Sequence, residues 1–192
     1  SKWYNKISDG NYLNLTSVSH AGNRYVFDGI SSKGKTVNRI LLDTSLTVEI
    51  AFKQTAINKD YSYFISTSGI SPHNMFYNNL TGKNVTYVGG VDNTSNTSMP
   101  NAKINLPHTF TITKAKSSSY FKQTIYQDYA SPCPSIPSDQ VVSSNYLSVG
   151  YNTEVNDFFF TGFIYSIRVY NRPISRSELY KNYNTDKKRF GF

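Results

Sequence analysis

The sequence predicts an all-β fold, two antiparallel sheets packed as a sandwich, with one short helix near the C-terminus. Strand-like runs recur at roughly ten-residue spacing, separated by turn residues, with no long helical pattern between them. Aromatic residues make up 15% of the 192 residues, as 16 Tyr, 12 Phe and one Trp, a content that suits a half-buried pleated surface and argues against disorder. A chain of this length can bury a core without disulfides or a metal.

In chain order, Arg24–Phe27 reads as a strand that stops at the turn signal Asp28-Gly29. Leu46–Phe52 alternates: Leu46, Val48, Ile50 and Phe52 share the core face, while Thr47, Glu49 and Ala51 share a face expected to be wet or partly wet. Tyr61–Ser66, Met75–Tyr77 and Val85–Val88 read as further strands, the last closed by Gly89-Gly90. Thr109–Thr113 alternates again and should pair with Tyr120–Tyr126 across a turn at 116–119; Tyr146–Val149 and Phe158–Tyr170 complete the set. The polar stretches Val91–Asn105 and Gln127–Gln140 read as long loops, one carrying a proline and the other three. The helix is signalled by Ser175-Arg176-Ser177-Glu178, a capping box, with Ile174 and Leu179 placed to staple it; it is expected over Arg176–Asn182, with Leu179 and Tyr183 facing the body.

The formal net charge is +8, which favours anionic partners such as acidic polysaccharides, or a charged, solvated surface. Charged residues are only 17% of the chain, and the basic ones are scattered apart from Lys187-Lys188-Arg189; no nucleic-acid-binding motif is present, so nucleic acid is not expected as a partner. No apolar run approaches the ~20 residues of a membrane span. Cys133 is the one cysteine and cannot form an internal disulfide. Asn-x-Ser/Thr triplets begin at Asn14, Asn79, Asn84, Asn93 and Asn96, as expected by chance in an Asn-rich chain.

The segment Phe160–Ser175, with its Ile164-Tyr165-Ser166-Ile167-Arg168 and Tyr170-Asn171-Arg172 runs, resembles the closing strand of laminin-G-like, concanavalin A-like modules, and Asp186–Phe190 (DKKRF) resembles their ending. Trp3 with Asn5, Tyr25–Gly29 and Leu46–Phe52 resemble the opening strands of the same family; residues 55–145 match none of its patterns. The resemblance implies a two-sheet jelly roll with loops clustered on one rim. Relatives of the pattern occur in bacterial surface and secreted proteins and in phage virion proteins, where they look like adhesion or carbohydrate-binding modules, and the resemblance implies a non-catalytic module of that kind here. By this likeness residues 1–192 are expected to be one domain, the C-terminal module of a longer extracellular, cell-surface or virion protein. The expected partner is a glycan or cell-surface polymer. The alternative is a structural module docking on copies of itself or on virion neighbours, and a glycoside hydrolase ranks last.

A retaining glycosidase in this architecture needs paired carboxylates, which on one strand face would read Glu-x-Asp-x-x-Glu. No such motif occurs: Glu49 has Thr47 and Ala51 beside it, and Glu154 and Asp157 fall in a loop. His20, His73 and His108 have no nucleophile context and no zinc spacing, so the chain is expected not to be an enzyme. Tyrosines could stack on sugars; of Tyr61, Tyr63, Tyr77, Tyr87, Tyr126, Tyr129 and Tyr151, Tyr129 and Tyr151 adjoin loops and are the candidates. The oxygen-rich loops at Asp92-Asn93 and Asn152–Asp157 add Asp92, Asn93, Asn152 and Glu154 to the binding candidates. No cofactor is expected beyond a possible Ca²⁺ at Asp92, Glu154, Asn156 and Asp157, with ordinary turn chemistry as the alternative. Trp3 and Arg168 read as structural.

Overall fold

The computed structural model describes residues 2–4, 12–40, 45–59, 61–68, 74–79, 84–88, 91–92, 103–116, 121–129, 136–138, 146–153 and 155–192. The strands in chain order are β1 (Lys2–Tyr4), β2 (Tyr12–Thr16), β3 (Ser19–Ala21), β4 (Arg24–Asp28), β5 (Lys33–Thr36), β6 (Leu46–Ala56), β7 (Tyr61–Ser68), β8 (Asn74–Asn79), β9 (Asn84–Val88), β10 (Val91–Asp92), β11 (Pro107–Lys116), β12 (Phe121–Gln127), β13 (Ile136–Ser138), β14 (Tyr146–Val149) and β15 (Thr161–Tyr170). Helix α1 (Arg176–Phe190) follows. The strands form an eight-stranded antiparallel sheet in the order β1-β2-β5-β14-β7-β8-β9-β10 and a seven-stranded one in the order β13-β12-β11-β6-β15-β4-β3.

The inner faces close on one apolar core. From β6 come Leu46, Val48, Ile50 and Phe52, the set that alternation predicted; Phe110, Ile112, Phe27 and Ile164 join them from the same sheet. Leu13, Leu15, Phe64, Ile65, Leu147 and Val149 face them from the other. Phe52, Phe64 and Phe160 pack ring against ring at the centre, with centroids 4.2 Å to 6.2 Å apart. The predicted hairpin is present: β11 pairs with β12 with Thr111 opposite Tyr126, and β11 pairs on its other side with β6.

Several expectations are corrected. The helix is not a seven-residue stub but spans 15 residues. The capping box forms as predicted, and Gly191, in the left-handed conformation (φ 77°), donates to Lys187 O to close the C-terminus. The outward face of β6 is not wet: Thr47, Glu49 and Ala51 are all buried, with Thr47 bonded to Arg172 O and Ile174 N in the connection to α1 and Glu49 bonded to Asn182 of the helix itself. The two stretches read as loops each contain a short strand, β10 and β13; Pro137 sits in β13, an edge strand, the place in a sheet that tolerates proline. Strands β1, β2, β3 and β5 were not foreseen.

Helix α1 runs across the strands. Tyr180 touches Tyr129 beyond the end of β12, Asn182 bonds Glu49 on β6, Asp186 pairs with Arg168 on β15, and Arg189 O accepts from Asn23 in the β3–β4 turn. A bulge in β15 between Ile164 and Ser166 lets Tyr165 and Ser166 both reach the helix side, where they meet Phe190 and Asp186.

Candidate functional site

With the outer face of the seven-stranded sheet covered by α1, attention falls on the outer face of the eight-stranded sheet. Strand β5 sets its character. Gly34 points inward, where an added Cβ would stand 2.9 Å from a Leu15 methyl, and buried Thr36 accepts from Leu147 N at 3.0 Å. The alternating residues Lys33 and Lys35 therefore point out. On β14 Leu147 and Val149 fill the core, so Tyr146 stands on the outer face with the lysines. Asp28 anchors the start of β5: its Oδ1 accepts the amides of Ile30, Ser31 and Ser32, each at 2.8 Å. Partial burial disfavours that charge, but the three amides and the Ser31 hydroxyl outweigh it and hold the carboxyl below the usual range.

Three cations lie on two tyrosine rings. Lys35 Nζ is 4.6 Å and Arg39 Cζ 5.6 Å from the Tyr146 ring centroid, and Lys33 Nζ is 5.4 Å from that of Tyr151. Such contacts contribute about 0.5–1 kcal/mol each where exposed. Among the described residues no carboxylate pairs with Lys33, Lys35 or Arg39.

The predicted loop site borders this strip. After Gly150 (φ 80°) the chain turns over the sheet edge; Ser66 Oγ donates to Tyr151 O and bonds Thr153 Oγ1. Asn152 and Asp157 close the loop through paired backbone hydrogen bonds. Tyr151 is not an exposed platform: it is 5% exposed and stacked on Phe159 at 6.1 Å, and burial raises its hydroxyl above the ordinary phenol value. Asn152 is likewise buried. Asn156 Oδ1 accepts from Lys33 Nζ at 2.8 Å, and both Asp157 oxygens accept from Lys59 Nζ at 2.6 Å. The two oxygen donors expected for calcium thus each face a lysine. Among the described residues no cluster of three His, Cys, Asp or Glu side chains has metal-holding geometry. Asn93 and Glu154 lie outside the described residues, as do His73, Cys133 and the side chains of Trp3, Tyr61, Tyr77, Tyr87 and Asp92.

Tyr129 belongs elsewhere. It follows β12 with φ 61°, its ring lies 4.8 Å from Tyr180, and Arg176 covers it at 5.3 Å, so it fastens the start of α1 on the far sheet. Lys33, Lys35, Arg39, Lys59 and Tyr146 were missed. The signal for the first two was the run Lys33-Gly34-Lys35-Thr36, in which small inward residues alternate with cations.

Comparison with solved structures places the architecture. A Trypanosoma rangeli sialidase superposes with a TM-score of 0.66 at 12% identity over 90% of this chain. The fold is a concanavalin-like jelly roll. A heptameric SAP-like pentraxin from Limulus polyphemus gives a TM-score of 0.53 at 9% identity, covering 83% of this chain and 82% of its own. The metal-free carbohydrate recognition domain of Emp46p gives 0.52 at 14%, covering 86% and 89%. This jelly roll spans 29% of the sialidase chain. No family signature and no curated protein sequence matches the chain. No helix among the described residues is long and apolar enough to cross a membrane.

Proposed function

We propose that this jelly roll is a non-catalytic module that binds an anionic glycan or cell-surface polymer along the outer face of its eight-stranded sheet. The observation that carries the reading is the strip of Lys33, Lys35 and Arg39 laid on Tyr146 and Tyr151 with no described carboxylate partner. Ammonium and guanidinium groups supply charge-assisted donors to carboxylate or sulfate, and Tyr146 supplies an amphipathic ring beside them. The carbohydrate recognition domain of Emp46p has the same architecture over 89% of its own length, which favours a sugar over other polyanions. The non-catalytic part of the reading is supported by where the carboxylates lie: among the described residues, Glu49 on β6 and Asp186 on α1 form one cluster, and both are buried where the helix meets the sheet. A module of this kind suits an extracellular, cell-surface or virion setting.

A glycan array probed at low and physiological salt tests the reading, with wild type beside the Lys35→Ala/Arg39→Ala double variant. Saturable binding to acidic glycans that persists at physiological salt, weakened about tenfold or more in the variant, is the expected result. Binding that disappears once charges are screened beyond about 8 Å, or is equal in the two proteins, overturns it.

A further inference from the structure

At the other end of the molecule, the C-terminus of α1 and the β3–β4 turn enclose a cavity of about 380 Å³ lined by Ala21, Gly22, Asn23, Arg24, Tyr165 and Phe190. The volume lies at the low end of the range for small-molecule sites, about 300–1,000 Å³. Its aromatic side is built: Tyr165 packs on Phe190 at 5.1 Å and Phe192 at 5.7 Å, and Phe190 and Phe192 are nearly parallel, 8° apart. Its cation is held in place too. Arg24 Cζ lies over the Phe163 ring, 4.1 Å from the centroid, the guanidinium also bonds the Tyr165 side chain, and among the described residues no carboxylate pairs with it. The turn is held to the helix by the Asn23 Nδ2 bond to Arg189 O, and no atom comes within 4 Å of where a Gly22 Cβ would be, so the space above the turn is open. Lys187, Lys188 and Arg189, the densest basic run in the sequence, fill the last helical turn beside it, and Arg189 Cζ lies over one side of the Phe190 ring, 5.2 Å from its centroid.

We propose that this cavity is a second binding site, for a single carboxylated sugar ring of the uronic acid class. The apolar face of a pyranose stacks on Tyr165, whose ring Phe190 supports, its carboxylate meets Arg24, and its hydroxyls meet the polar turn. Lys187, Lys188 and Arg189 raise the local concentration of the anion. The site shares no residue with the tyrosine strip and does not depend on it.

The test is a titration of the full chain with sodium glucuronate, followed by NMR, with glucose as the neutral control. Saturable shifts at Gly22, Asn23 and the Tyr165 ring are expected. They should weaken about tenfold in Arg24→Gln, the cost of one charge-assisted hydrogen bond, and also in Phe190→Leu, which removes the ring that supports Tyr165. Lys35→Ala/Arg39→Ala should leave them unchanged, so failure here and failure of the strip are distinguishable. Equal shifts with glucose, shifts spread over every basic surface, or indifference to both cavity variants in folded protein would each overturn the proposal.

Discussion

Arg168 on β15 and Asp186 on α1 form a two-point ion pair, Nη2 to Oδ1 at 2.5 Å and Nη1 to Oδ2 at 2.7 Å. It fixes the helix on the sheet. Arg168 stands opposite Glu49 on β6, which stands opposite Thr111 on β11, so three neighbouring strands present one polar row. The helix answers with Asn182, whose Nδ2 meets Glu49 Oε2 at 2.5 Å, and one turn later with Asp186. Asp186 is 2% exposed, so its charge depends on Arg168 and on the Ser166 hydroxyl.

Asp186→Ala should therefore destabilise the fold by about 3 kcal/mol, because it leaves a largely buried guanidinium unpaired. Arg168→Met/Asp186→Leu should recover most of that loss, since both desolvation costs go together. Urea unfolding of the three proteins measures this; a double variant as unstable as Asp186→Ala would show that the pair contributes more than it costs to bury.

Glu49 predicts a pH dependence. Burial pushes its carboxyl up to about 6, against the pull of Arg168 and Asn182. The folded state then holds a proton that the unfolded state has released above pH 4.5. Stability from this group is complete below about pH 4.5 and is lost as pH rises to about 6, a change of about 2 kcal/mol. Asp157 and Glu178, whose carboxyls are lowered by Lys59 and Arg172, act in the opposite sense and below that window. Melting temperatures between pH 4 and 7 should fall for the wild type relative to Glu49→Gln; parallel curves would refute the assignment.

Glu49 also shows how far the sequence could be read. Alternation along Leu46–Phe52 placed it correctly on the face away from the core, and the capping box placed the start of the helix to the residue. What hid the burial was the helix length: Asn182, Asn184 and Thr185 are weak helix formers, and the turn they occupy is held by the tertiary bonds of Asn182 and Asp186. The strip was hidden differently. Lys33 and Lys35 alternate visibly, but Tyr146 joins them only through the β5–β14 pairing, a long-range register that local pattern does not encode. Tyr129 and Tyr151 both adjoin turns, as expected, yet sheet order sends them to opposite faces.

Gly162 is a backbone requirement of the closing strand. At φ 147°, beside a register shift in β15, its absent Cβ would stand 2.1 Å from Lys53 O, a backbone atom that cannot swing aside. Gly162→Ala should destabilise by about 3 kcal/mol or more, from steric overlap added to a conformation that side chains avoid. Gly22→Ala, with φ 61° and open space around it, should cost only about 1 kcal/mol. Thermal melts of the two variants side by side measure the difference, and equal losses would mean the bulge relaxes.

The lysines at the 152–157 loop make a prediction about calcium. Asp157 is bound through both oxygens to Lys59, and Asn156 to Lys33, so a cation entering here must first displace an ammonium. The wild-type melting temperature should be the same in EDTA and in millimolar calcium. Lys59→Met frees the Asp157 carboxylate while keeping much of the side-chain stem, and a calcium-dependent rise should then emerge, because a ligand that binds only the folded state stabilises it by mass action. A rise of several degrees in the wild type would show that calcium outcompetes both lysines; a rise confined to the variant would show that Lys59 holds the place a metal takes.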